Sequence, residues 1–112
     1  MVDNRAVVTE TLDSALKERL RAVIADQTVT EATLRKLTEQ GRACALILDA
    51  RLERLERRFT ELSADAESSL ADIAATMRAV NELRPDLEEL HALLDGLDAH
   101  ARELRSAWLA AR

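Results

Sequence analysis

The stretch ALILDARLERLERRFTEL, residues 45–62, decides the fold class. Leu48, Leu52, Leu55, Phe59 and Leu62 recur at steps of 4, 3, 4 and 3 residues, with Arg and Glu filling most positions between them. That spacing puts five large apolar side chains on one face of an α-helix and leaves the rest to solvent. At its start, ALIL is apolar all round, wider than the narrow stripe a two-stranded coiled coil buries, and this favours packing in a bundle.

Outward from this stretch the pattern continues in both directions. From Leu34 to Trp108, seam positions recur over 21 steps covering 74 residues, about 3.5 residues per step, the period of a coiled-coil seam. The spacing widens to about 3.67 between Cys44 and Met77 and tightens to about 3.4 from Met77 onward, so a uniform zipper is not expected. Val80, Leu83, Leu87, Leu90 and Leu94 carry the seam through Pro85 without losing phase. Small residues at Gly41, Ala66 and Ala101 would let helices approach closely.

These readings divide the chain. Residues 1–8 are expected to fray. Residues 9–27 form a short amphipathic helix on Leu12, Leu16, Leu20, Val23 and Ile24. A turn follows at 27–30, where Thr28 and Glu31 have the spacing of a capping box. A long coiled-coil helix is predicted over 31–84, and a C-terminal helix continues the seam over 85–111. Pro85 can act either as a kink inside one helix or as the first residue of the next, because the missing N–H is costless only at a helix start. A single helix over 31–84 would extend about 80 Å. Its leucine row would then stay in water, losing about 1.5–3 kcal/mol per large side chain. The seam must therefore meet another part of this chain, another copy, or a different subunit.

Composition narrows the function. Of 112 residues, 47% are apolar and 33% charged, with one Phe, one Trp, no Tyr, two Gly and one Pro. A chain rich in Leu, Ala, Glu and Arg belongs to an all-α class, an elongated coiled coil or a bundle of two to three helices. The net charge is −5, and basic and acidic residues are mixed along both halves. Neither a basic face nor stacking aromatics are present, so nucleic acid is not an expected partner. No stretch approaches the ~20 apolar residues of a membrane span, and the start MVDNRAVVTETL lacks the features of a signal peptide. With Cys44 as the lone cysteine, a reducing, cytoplasmic setting fits. Peripheral membrane association through a larger complex stays compatible with this composition.

Candidate chemistry is sparse. Glu88 and His91 form a Glu-x-x-His pair, with Asp95 one turn further on, and that spacing offers a carboxylate and an imidazole to a metal from one helix face. A metal-binding bundle is thus an alternative reading. A di-metal site would need a second such motif, and His100 has Leu97 where the glutamate would stand. The serines lack a nucleophile elbow, and no Gly-rich phosphate loop occurs. No enzyme activity, metal or cofactor is expected. Leu48, Leu52, Leu55, Phe59, Leu62, Ile73, Val80 and Leu87 are the candidate interface with partner helices, whether other subunits or copies of this chain.

Residues 43–83 resemble the KxDL family, small coiled-coil subunits of complexes that build or position lysosome-related organelles. The resemblance rests on the apolar run leading into Ala50-Arg51-Leu52, on Arg58-Phe59, on Asp72-Ile73, and on Val80 and Leu83 in register. Leu70 stands where the family has its lysine and Ile73 where it has its leucine. LRPDLEEL and LDAHARELRSAW resemble segments of another helical subunit of the same assemblies. The resemblance implies a non-enzymatic adaptor bundled with other helical subunits.

Overall fold

The computed structural model describes residues 4–25 and 29–111, with side-chain surroundings from residue 14 onward. Three helices follow one another: α1 (Asn4–Ala25), α2 (Glu31–Ala64) and α3 (Leu70–Ala110). No β-strand occurs among the described residues. The all-α, elongated architecture expected from composition is what forms, with extents of 68 × 28 × 17 Å.

The element boundaries depart from expectation in three places. Helix α1 begins at Asn4, before the expected start at Thr9. The cap of α2 is Thr30, whose extended backbone lets Oγ1 accept from Thr33 N–H at 3.2 Å. The capping role expected of Thr28 falls on a residue outside the described ones.

The third departure reshapes the molecule. The helix expected over 31–84 stops at Ala64, and the chain reverses through residues 65–69. Asp65 drives the stop. Its own N–H bonds the Leu62 carbonyl at 3.3 Å, while its side chain accepts from Glu67 N–H at 2.9 Å, an Asx-turn that competes with continued helix. Ser69 then caps α3, its hydroxyl accepting from Ala71 N–H at 3.1 Å and Asp72 N–H at 3.4 Å. The wide seam spacing between Cys44 and Met77 therefore spans a chain reversal and belongs to no single helix. Leu70, read as a seam position, stands 84% exposed at this tip.

Pro85 lies inside α3, so the helix expected to begin there is the second half of a longer one. Loss of its N–H frees the Asn81 carbonyl, and Asn81 is exposed, which leaves that oxygen within reach of water.

Helices α2 and α3 pack antiparallel. At the end remote from the tip, α1 joins them, running parallel to α3, and the three bury one core. Its centre is Leu20, Leu48, Leu90 and Leu97, each at most 2% exposed, with Leu34, Leu37, Ala45, Leu87, Leu94 and Leu104 around it. Beyond Leu52 and Leu83, which edge this core, the described side chains form a two-helix arm ending at the turn.

Candidate functional site

Three faces of the hairpin are distinguishable by what covers them. The first carries polar and charged pairs across α2 and α3. Arg42 meets Asp98 at 3.4 Å, Asp49 meets His91 at 3.4 Å, and Glu56 meets Arg84 at 3.3 Å. Successive members are seven residues apart on each helix, so the ladder repeats once per heptad. Arg105 and Glu31 add a fourth pair at 3.4 Å. All are about half exposed, so each adds at most about 1 kcal/mol. Their contribution is to alignment, because this register sets both Arg42 and Glu56 against an opposite charge. Open clefts of about 420 and 430 Å³ lie between rungs, and one of about 320 Å³, lined by Phe59, Thr60, Met77 and Val80, lies beyond the Glu56–Arg84 rung toward the tip.

The second face holds α1. Lys17, buried along its stem, reaches Asp86 at 3.7 Å and Glu89 at 3.6 Å. Arg21 bonds both Glu89 and Glu18, and a Cβ at Gly96 would sit 3.3 Å from Ile24 Cδ1. At 100° per residue, Asp86, Glu89 and Gly96 lie on the far side of α3 from Arg84, His91 and Asp98. The third face is the back of α2, where Leu46 is 71% and Ile47 66% exposed while their neighbours Ala45 and Leu48 point inward. The apolar run of residues 45–48 thus splits, half to the core and half to solvent.

The expected interface residues are distributed unequally. Leu48, Val80 and Leu87 are buried by the chain's own helices. Leu52, Leu55, Phe59, Leu62 and Ile73 remain half-buried, four of them along the arm and Leu52 at its base. Met77 on the same arm is 49% exposed. Two helices shield only one side of each other's seam, which accounts for this gradation. At the opposite end the last seam residue, Trp108, is exposed, as is Leu109 beside it.

The Glu-x-x-His stretch takes a different role from the metal reading. His91 Nε2 lies 3.4 Å from Asp49 Oδ1 as a rung of the ladder. Among the described residues no group of three His, Cys, Asp or Glu side chains comes close enough to hold a metal ion. Cys44 is half-buried against the core, and His100 is buried.

Sequence reasoning missed Lys17, whose acidic partners lie about seventy positions away, and it missed the tip. Ser69 followed three residues later by Asp72 is a capping-box spacing that marks the start of α3. No helix among the described residues is long and apolar enough to cross a membrane. No family model, curated protein or solved structure matches the chain, so its function has to be argued from its own surfaces.

Proposed function

We propose that this chain is a non-enzymatic helical interaction subunit that docks its two-helix arm against helices of other proteins in a larger complex. One observation carries the reading: Leu55, Phe59, Leu62 and Ile73 are only half-buried by the hairpin, and Met77 and Leu70 extend the exposed apolar surface to the tip. A further helix laid along the arm would remove that surface from water at about 25 cal/mol per Å². The three-helix end supplies a core of its own, leaving the arm to project. The residues resembling the KxDL family lie on this arm and its base, and the resemblance supplies the setting, a membrane-associated complex that builds or positions organelles.

The test is affinity purification of the tagged chain from its source cells beside Phe59→Asp and Ile73→Asp variants shown to be folded by circular dichroism. Recovery of a defined set of helical proteins with the wild type and their loss with both variants supports the reading. Equal recovery with all three chains, or no specific partner with any, removes it. Glu61→Lys, an exposed change on the arm away from its apolar seam, should leave recovery unchanged.

The second reading, a self-sufficient homo-oligomeric bundle, is favoured by a different surface, the apolar pair on the back of α2.

A further inference from the structure

The exposed side of α2 carries a pattern that is complementary to itself. Glu39, Ala43, Leu46, Ile47, Ala50 and Arg54 follow one another on the stripe opposite the core-facing seam, and all six are exposed. None belongs to the arm's apolar surface. We infer that this stripe docks a second copy of the chain, α2 against α2 and antiparallel, about a two-fold axis between Leu46 and Ile47.

The register follows from charge and size. With the axis there, each Leu46 lies against Ile47 of the second copy, Ala43 against its Ala50, and Glu39 against its Arg54. The apolar pair sits at the centre, alanines flank it and allow close helix approach, and two ion pairs of opposite sign close the ends. A parallel arrangement would set Glu39 on Glu39 and Arg54 on Arg54, so like charges oppose that alternative. Further out, Lys36 would face Arg57 of the second copy. Arg57 is bridged within its own helix to Glu53 at 3.2 Å, which tempers the repulsion but confines the favourable contact to the central turns. One helix laid on one helix falls below about 1,200 Å² of buried surface, so the dimer belongs among the weak ones, with Kd roughly micromolar.

The experiment is sedimentation equilibrium on the full chain over a micromolar concentration series, with helicity measured for every variant. The wild type should pass from monomer to dimer as concentration rises. Ile47→Glu, at a position already exposed and so harmless to folding, should leave a monomer throughout, and Leu46→Gln should weaken association in the same direction. Glu39→Arg and Arg54→Glu should each weaken the dimer about tenfold, since each turns two attractive contacts repulsive. The double swap Glu39→Arg with Arg54→Glu should return affinity to near wild type, and loss in each single change followed by this recovery is a pattern that parallel pairing does not give. A wild type that stays monomeric, a dimer indifferent to Ile47→Glu, or a double swap weaker than both single changes would each overturn the inference. The arm variants Phe59→Asp and Ile73→Asp should dimerise normally, so this surface and the arm stand or fall separately.

Discussion

The two glycines of the chain are both helical, yet alanine should have opposite effects at them. Gly41 sits where α2 crosses Leu94 of α3, and a Cβ there would overlap Leu94 Cδ2, with Cγ 3.5 Å away. Leu94 is buried within the three-helix core and can yield only by leaving its rotamer or pushing its neighbours. Overpacking of this kind costs about 1–3 kcal/mol, while replacing a helical glycine by alanine returns about 1 kcal/mol. Gly41→Ala should therefore be destabilising by about 0–2 kcal/mol. At Gly96 the new methyl would meet only Ile24 Cδ1 at 3.3 Å, the end of a flexible, half-exposed side chain. There the helix gain should survive, and Gly96→Ala should be stabilising by up to about 1 kcal/mol. Urea unfolding followed by circular dichroism measures both. A thermal melt should separate the two variants by several degrees, since about 1 kcal/mol moves the midpoint by roughly 4 °C or more in a domain of this size. Leu94→Ala should also abolish the Gly41→Ala penalty, because it removes the atoms that clash. If Gly41→Ala stabilises as much as Gly96→Ala, or if its effect is unchanged in the Leu94→Ala background, the close α2–α3 approach at this point is refuted.

Other expectations follow from the caps, the proline and the α1 contacts. Ser69→Ala and Thr30→Ala should each cost about 1 kcal/mol in the same urea assay, having lost their helix caps. Unchanged stability would mean that α3 and α2 do not begin at these residues. Pro85→Ala should stabilise by about 1–3 kcal/mol, because Pro85 is interior to α3 and not its first residue. A loss of stability there would instead place a helix start at Pro85. Lys17→Ala should cost about 1–2 kcal/mol and raise hydrogen exchange in α1 specifically. Lys17→Met should cost less, as it keeps the buried stem. Uniform exchange across all three helices would show that Lys17 does not hold α1 to α3.

Periodicity and composition are local, and they determined what is local in this protein. The leucines from Leu83 to Leu104 recur at helical spacing, and they are the residues that line the α3 side of the core. That a helix starts at Glu31 was visible because threonines and an acidic residue there favour a cap over continued helix. The tip at residues 65–69 was not, since SADAESS contains neither glycine nor proline and Leu62, Ala66, Leu70 and Ile73 keep the seam in phase across it. A straight helix and a hairpin differ locally by an Asx-turn and a serine cap, worth about a kcal/mol each. They differ globally by whether Leu48 and Leu87 meet other side chains or water, which is worth several times more.

The same division applies to the candidate surfaces. That residues 45–48 are apolar on all sides is readable from the sequence, but which two turn outward depends on where α3 lies. Polar and charged side chains seven residues apart on two segments mean nothing until the segments are set antiparallel, and then they face each other as rungs. A seam states that a partner is required; only the folded chain decides how much of it the chain buries by itself, because burial depends on contacts between residues far apart in sequence that no local pattern encodes.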